Sequence, residues 1–327
     1  MKKQEPFFRR KNCRKDKYKN DDYKSDKCKS SLMDCRAAKK WILLAGNILA
    51  AWVILTLADA AASEIAYDIM YIKWDSLILT TCLYCVLDIL FVVCSVGLYA
   101  RYVLKMEPGE LYMGISQKCV IRQNIRWYMA AILLPVFLIC FCILFTDGSL
   151  YRENLLAADL VYAICWSVSG ALRCGFTDGI VLCGMVLGFM KNKWNCMETI
   201  LISGVLFAVF HFGFPTESFI TKKMILMTAT LFVMGMAFTA VTCATGAIWA
   251  SVTMYSAFSM LYGRTYILNI DTERDFNAIW NYTMKNENWL IAGFSGADGV
   301  RVGLTVLLAF LVVLLAALLQ LRHSEVS

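Results

Sequence analysis

Proline and histidine are scarce in this 327-residue sequence, which contains 4 prolines and 2 histidines. Transporters commonly build their sites from interrupted helices related by internal repeats. Here only Pro135 and Pro215 fall in or beside the apolar segments, and no internal repeat is evident. A transporter therefore has little support. Walker and dinucleotide-binding motifs are also absent from the sequence, so nothing in it indicates nucleotide chemistry.

Charged residues are few as well, at 17% of the chain, whereas hydrophobic residues make up 59%. Soluble domains are about 25% charged and roughly 45–50% apolar. Apolar runs near the ~20 residues that cross a bilayer recur along most of the chain. These runs are continuous rather than alternating, so nothing in them suggests a transmembrane β-barrel. The composition predicts an all-α, polytopic transmembrane helix bundle.

Cysteine is plentiful, with 14 residues, but the spacing does not indicate a disulfide framework. Many of the cysteines lie inside the apolar runs, where a small apolar side chain serves packing. Cys82 and Cys85 have the C-x-x-C spacing of a redox or metal motif. They lie in the middle of a predicted span without a second pair, so packing is the interpretation there too.

The apolar runs predict about eight spans, and the Lys/Arg-rich loops place both termini in the cytoplasm. The predicted spans are, in order, about 41–61, 77–100, 127–146, 155–190, 198–213, 223–243, 246–262 and 302–321. The fourth is too long for one crossing, because a helix over Leu155–Met190 would measure about 54 Å against a core of about 30 Å. It must tilt, extend into the cytosol, or break near Gly175 and Gly179. Two small-xxx-small patterns in it, Gly175/Gly179 and Gly184/Gly188, predict close helix contacts.

Residues 1–40 form a basic region with 15 Lys and Arg against 6 Asp and Glu. Such a segment has too few apolar residues to form a core and is predicted to be a disordered cytoplasmic tail. Its charge suits contact with anionic membrane lipids. No basic-aromatic fold accompanies the charge, so a nucleic-acid partner is not expected. Residues 41–150 are predicted to form N-terminal transmembrane helices ahead of a core at 151–327.

Ionisable residues inside the apolar runs are the candidate functional residues, because charge at that depth costs a few kcal/mol or more per group. Arg173, Asp178 and His211 lie in the stretch 171–212. The other histidine, His323, is in the C-terminal tail. Asp59 and Asp88 are also in predicted spans, where interfacial placement or pairing within the bundle is expected.

Several motifs in the second half of the chain resemble those of one family. Phe207-Ala-Val-Phe-His211 matches an F-x-x-x-H motif, Thr245-Gly-Ala-Ile-Trp249 matches a T-G-S-L-W motif, and Gly293 to Gly299 is a Gly-rich segment before the last span. From about Leu155 to Leu319 the chain resembles the CPBP family, the CAAX-protease and bacteriocin-processing (Abi) intramembrane metalloproteases. The resemblance implies a membrane endopeptidase with zinc as cofactor and a membrane-bound or lipidated peptide as substrate. It also implies a bacterial plasma membrane.

The family's other motif residues are replaced in this sequence. Aligned on the E-E-x-x-x-R motif, Asp178 falls at the first glutamate, Gly179 at the second and Cys183 at the arginine. In the later H-x-x-x-N motif, Tyr255 falls at the histidine and Ser259 at the asparagine. Asp178 and His211 are therefore the predicted catalytic and metal-binding residues, and hydrolytic activity is doubtful. The alternative is a non-catalytic membrane binding, chaperone or bacteriocin self-immunity protein on the same fold.

Three arrangements of these residues remain open from the sequence. Cys174 lies one turn before Asp178, and the two could form a zinc site with His211. Arg173 is a candidate replacement for the family's arginine. A metal-free pair would use His211 as base and Asp178 to orient it. In the third arrangement His211 hydrogen-bonds Asp178, Tyr255 or Ser259 and only locks the helices together.

Overall fold

The computed structural model describes residues 25–74, 76–113, 124–191, 193–211, 222–263, 265–286, 288–295 and 301–326. Within these residues the chain is an all-α polytopic bundle, as the composition predicts. Its helices are α1 (Ser25–Glu64), α2 (Leu77–Tyr99), α3 (Ile125–Phe145), α4 (Ala157–Lys191), α5 (Cys196–His211), α6 (Lys222–Thr245), α7 (Trp249–Tyr262) and α8 (Leu304–Val326). A π-helical turn extends α1 over Ile65–Tyr71 and another extends α2 over Ala100–Leu104, and a 3₁₀ turn follows at Pro108–Leu111.

In the described part of the chain, six helical segments are long and apolar enough to cross a membrane. They correspond to the first, second, third, fourth, sixth and eighth predicted spans. The predicted fifth and seventh spans correspond to α5 and α7, which have 16 and 14 residues. At 1.5 Å per residue these helices are about 24 and 21 Å long, shorter than the hydrocarbon core. The chain is thus a multi-pass membrane protein, and the crossings of α5 and α7 stay a prediction.

The N-terminal helix begins earlier than the sequence indicates. It starts at Ser25, ahead of the predicted first span at 41, so it includes residues assigned above to the tail. Its membrane-spanning part is Ala38–Asp68. Residues 1–24, which carry much of the basic charge, lie outside the described residues, and their disorder stays a prediction.

The long helix α4 is continuous. It is α-helical over Ala157–Asp178, π-helical over Gly179–Val186, and α-helical again to Lys191. The bundle is built around α4. In its apolar 18-residue stretch 67% of the residues are buried, compared with 22% in the first span. Helices α2 and α7 pack against α4, while α5 and α8 pack against α6. A break near Gly175 and Gly179, one of the three possibilities above, therefore does not occur, and the helix changes type at Gly179 instead.

Glycines of α4 make the predicted close contacts. A Cβ at Gly175 would lie 1.9 Å from Ser256 Oγ and 2.9 Å from the Val252 carbonyl oxygen, both on α7. On the other face, a Cβ at Gly188 would lie 2.8 Å from the Glu110 carbonyl oxygen in the 3₁₀ turn. Small-xxx-small spacing lets backbones approach in this way. These contacts fix α4 between α7 and the turn after α2.

A small sheet lies outside the bundle, in segments between the predicted spans. Its strands are β1 (Gly148–Arg152), β2 (Leu268–Asp271) and β3 (Trp280–Met284). The strand order is β1-β3-β2, with β1 antiparallel and β2 parallel to β3, and Leu150 pairs with Tyr282. Two further strands, β4 (Phe294–Ser295) and β5 (Arg301–Val302), form an antiparallel pair just before α8. We call the three-stranded unit the outer sheet.

Candidate functional site

Three helices bring the central polar residues together. His211 is the last residue of α5, Asp178 lies where α4 changes from α- to π-helix, and Tyr255 is in α7. His211 Nε2 lies 3.2 Å from Asp178 Oδ2 and 3.0 Å from the Tyr255 hydroxyl oxygen. The structure therefore brings together both predicted site residues, 33 positions apart in the chain, and adds Tyr255. We call these three residues the histidine cluster.

The other ring nitrogen of His211 indicates where its proton lies. His211 Nδ1 is 3.0 Å from the carbonyl oxygen of Phe207, one helical turn earlier. A carbonyl oxygen only accepts hydrogen bonds, so Nδ1 carries the proton. In the neutral ring, Nε2 is then an acceptor and the Tyr255 hydroxyl donates to it. In the imidazolium, Nε2 donates to the Asp178 carboxylate.

Apolar groups enclose the histidine cluster. The ring of Phe207 stacks on His211 at a centroid distance of 4.1 Å, and Phe238 packs 5.3 Å from Tyr255. His211 is 7% exposed and Asp178 18%. The adjoining pocket has a cavity volume of about 10 Å³, which is about enough for one water molecule and far below the roughly 300–1,000 Å³ typical of ligand sites. Its lining residues are Gly175, Asp178, Gly179, Leu182, Cys183, Phe207, Phe238, Ser251 and Tyr255.

The positions at which the family motif is replaced are closed by packing. A Cβ at Gly179, where the second glutamate would fall, would lie 2.5 Å from Val252 Cγ2. A glutamate at this position therefore does not fit unless Val252 moves. Cys183, at the arginine position, is 5% exposed and lines the same pocket. Gly179 thus forms part of a close contact between α4 and α7.

The described residues do not fit a catalytic zinc. Among them, no three His, Cys, Asp or Glu side chains converge so that they could hold a metal ion. The predicted combination of Cys174 with Asp178 and His211 is not assembled. A catalytic zinc usually takes three protein ligands, and here Asp178 and His211 supply two ligand atoms that already contact each other.

The hydrogen bonds match the third open arrangement in part. His211 contacts both Asp178 and Tyr255, as that arrangement proposes. The buried Ser259 Oγ, by contrast, has no hydrogen-bond partner among the described residues, so its predicted bond to His211 is not formed. Ser259 therefore falls at the asparagine position when the motifs are aligned, but it makes no hydrogen bond to the histidine cluster.

Arg173 does not serve Asp178 as the family's arginine would. Its Nη1 lies 2.9 Å from Asp59 Oδ1 and 3.6 Å from Asp88 Oδ2. Tyr84 completes the group, since its hydroxyl donates to Asp59 and its ring centroid is 5.1 Å from the Arg173 guanidinium carbon. The prediction that Asp59 and Asp88 are paired within the bundle is confirmed, and Arg173 is the partner of both. We call these four residues the arginine cluster, which joins α1 and α2 to α4.

Sequence reasoning missed the residues that close the site. Val252 and Ser256 are an ordinary apolar and a small polar residue in a helix, and nothing in their spacing shows that α4 lies against them. The glycines opposite them were the available signal. A small residue indicates that another helix approaches closely, but it does not identify which residues of that helix make the contact.

Residues 161–261 match the family model of the type II CAAX prenyl endopeptidases, described as Rce1-like. This segment is similar to the Rce1-like family, and we call it the Rce1-like domain. The match covers about a third of the chain and includes the whole histidine cluster and Arg173. The family resemblance drawn from the motifs is confirmed for these residues, while Asp59, Asp88 and the outer sheet lie outside the match. No match was found among the curated proteins or among the solved structures.

Proposed function

We propose that this chain uses its Rce1-like domain to bind a lipidated peptide at the membrane without hydrolysing it. The observation that carries the proposal is the contact at Gly179. A side chain at the position of the family's second glutamate would require Val252 to shift, because Val252 Cγ2 lies 2.5 Å from where a Cβ would be. The family's description as CAAX prenyl endopeptidases supplies the ligand class, a prenylated peptide. The resemblance supports a bacterial plasma membrane as its proposed location.

Peptide hydrolysis needs an activated water and a group that stabilises the developing oxyanion. His211 Nε2, the candidate base, already contacts Asp178 and Tyr255. The nearest arginine of α4 in sequence, Arg173, is paired with Asp59 instead. The pocket beside the histidine cluster has a cavity volume of about 10 Å³, enough for about one water, so a peptide cannot enter it unless the cluster opens. Each of these observations argues against catalysis in this arrangement.

A second candidate function is slow, metal-free peptide hydrolysis. It is favoured by the position of Asp178 beside His211 Nε2, because the carboxylate would stabilise the imidazolium that forms when Nε2 takes a proton. The Tyr255 hydroxyl would leave Nε2 and donate to the oxyanion. This mechanism requires the histidine cluster to open so that a water reaches Nε2.

A prenylated peptide separates the two functions. We expect the detergent-purified protein to bind a fluorescent farnesylated CAAX-type peptide saturably and the unprenylated peptide at least tenfold more weakly, since buried CH₂ groups each contribute about 0.8 kcal/mol. Fluorescence anisotropy measures the binding. Mass spectrometry of the same samples is expected to detect no cleavage above that of the variant His211→Ala.

The matched variants decide between the outcomes. Cleavage that is present in wild type and lost in both His211→Ala and Asp178→Ala would establish the second function. Equal binding of both peptides, without cleavage, would contradict the proposal and the alternative together. Tyr255→Phe keeps the ring and removes the hydroxyl, so it is expected to leave peptide binding unchanged.

Zinc content tests the metal-free character of the site. We expect elemental analysis of the purified protein, without added metal, to give well below one zinc per chain, because a two-ligand site binds weakly. His211→Ala is expected to give the same value. A stoichiometric zinc that disappears in His211→Ala would mean that further ligands complete the site, and would revive the metalloprotease interpretation.

A further inference from the structure

Basic and aromatic residues meet where two membrane spans reach the same face of the bundle. Lys40 and Trp41 lie near the start of the span Ala38–Asp68, and Lys193 and Trp194 follow the end of the span Ala157–Lys191. The Lys40 ammonium donates to the carbonyl oxygen of Lys193 at 3.2 Å. The residues come together although 153 positions separate the two lysines. By the distribution of Lys and Arg, this face is the cytoplasmic one.

Aromatic rings hold these residues in place. Trp41 meets Trp194 edge-on at a centroid distance of 5.9 Å, and Trp194 lies 6.1 Å from Phe189. Lys193 Nζ is 3.5 Å from the centre of the Phe189 ring. Tryptophan is enriched where a protein meets the headgroup layer, because its ring is apolar and its N–H is polar. We call Lys40, Trp41, Phe189, Lys193 and Trp194 the lysine–tryptophan cluster.

The charges of this cluster are not balanced within the described part of the protein. No described carboxylate lies within ion-pair distance of Lys40 or Lys193. Burial lowers the pKa of Lys193, and the nearby positive charge of Lys40 lowers it further. Two cations held close together without an anion repel each other, and an anion bound between them would remove that repulsion.

We propose that the lysine–tryptophan cluster binds the phosphate headgroup of an anionic phospholipid of the cytoplasmic leaflet. Basic pockets between transmembrane helices on this side are suited to such headgroups. Trp41 and Ile42, which are 53% and 70% exposed, offer an apolar surface for the acyl chains beside the lysines. A diffuse attraction by the basic tail would lack this fixed geometry. The site is independent of the histidine cluster.

Native mass spectrometry of the full chain in detergent, with added phosphatidylglycerol or phosphatidylcholine, tests the site. We expect wild type to retain phosphatidylglycerol preferentially. The double variant Lys40→Ala/Lys193→Ala is expected to bind it about thirty-fold more weakly, since each lysine near an anionic surface contributes about 1 kcal/mol and 1.4 kcal/mol is tenfold. Phosphatidylcholine binding is expected to be equal in both proteins.

The matched control is Lys222→Ala/Lys223→Ala, which removes the same charge at the start of α6. Lys223 Nζ lies 5.8 Å from the ring of Phe294 in β4. Like the outer-sheet strands β2 and β3, β4 lies between α7 and α8, so this lysine pair is at the opposite end of the bundle. It is expected to bind phosphatidylglycerol as wild type does. Both variants keep the tail residues 1–37, whose contribution therefore cancels.

Two results would overturn the proposal. Wild-type affinity for phosphatidylglycerol in Lys40→Ala/Lys193→Ala would mean that the cluster holds no headgroup. Displacement of the lipid by millimolar inorganic phosphate would assign the site to a free anion instead. Thermal unfolding of each variant without lipid shows that the fold is intact, and Lys40→Gln/Lys193→Gln, which keeps more of each aliphatic chain, replaces any variant that fails this check.

Discussion

The variant Gly175→Ala is expected to lose about 3 kcal/mol of unfolding free energy, because the contact between α4 and α7 leaves no space for a methyl group. A Cβ at this position would lie 1.9 Å from Ser256 Oγ and 2.9 Å from the Val252 carbonyl oxygen. The serine hydroxyl can rotate away, but the backbone carbonyl cannot. The two helices must therefore separate, and the histidine cluster spans the same helices.

Gly170→Ala is the matched control on the same helix. Among the described atoms, a Cβ at Gly170 would meet nothing within 4 Å. Its stability is expected to stay within about 1 kcal/mol of wild type, since alanine favours the helix by about that amount. Unfolding by SDS, followed by tryptophan fluorescence, measures both variants. The double variant Gly175→Ala/Ser256→Gly is expected to recover part of the loss, and equal stability of the two alanine variants would show that α4 and α7 are not in close contact.

Arg173→Leu is expected to cost about 3 kcal/mol or more, because it leaves two carboxylates of the arginine cluster without their cation. Asp88 is the more affected, with a side chain that is 3% exposed, whereas Asp59 is 51% exposed. An unpaired charge at membrane depth is unfavourable. The loss is expected as a lower SDS midpoint and a lower thermal unfolding temperature in detergent.

Neutralising the partners tests the cause of this loss. The triple variant Arg173→Leu/Asp59→Asn/Asp88→Asn is expected to regain most of the stability, since exchanging a whole ionic group for neutral residues is often close to neutral. Arg152→Leu, in the exposed strand β1, is the control for removing an arginine as such and is expected to change stability by less than 1 kcal/mol. A triple variant no better than Arg173→Leu would assign the loss to packing of the arginine side chain.

The bundle and its central contacts follow from simple features of the sequence. Span length predicts α2, α3, α6 and α8 to within a few residues, because hydrocarbon thickness sets how many apolar residues are needed. Gly175 and Gly179 predict a close helix contact, and the cost of isolated charge predicts that Asp59 and Asp88 find a partner. The family resemblance, through its aligned motifs, predicts Asp178, Tyr255 or Ser259 as hydrogen-bond partners of His211, and the first two contact it.

The rest depends on interactions between residues that lie far apart in the chain. Arg173 could pair with Asp178 on its own helix or with acids of α1 and α2, and only the packing of α4 decides for the latter. The π-helical segment beginning at Gly179 has no residue signature, because it differs from an α-helix only in its hydrogen-bond offset. Strand β1 pairs with β3 more than a hundred residues later, and short polar strands do not show their partners.

The outer sheet constrains how the chain is threaded during synthesis. Strand β1 is made before the Rce1-like domain and β3 after it, yet the two pair on one side of the membrane. The helices α4 to α7 between them must therefore cross the membrane an even number of times in total. Until α7 has been placed, β1 waits without its partner strand, so the sheet forms late and only on chains that have been inserted correctly. Pairing of β1 with β3 therefore indicates that the helices between them have been inserted.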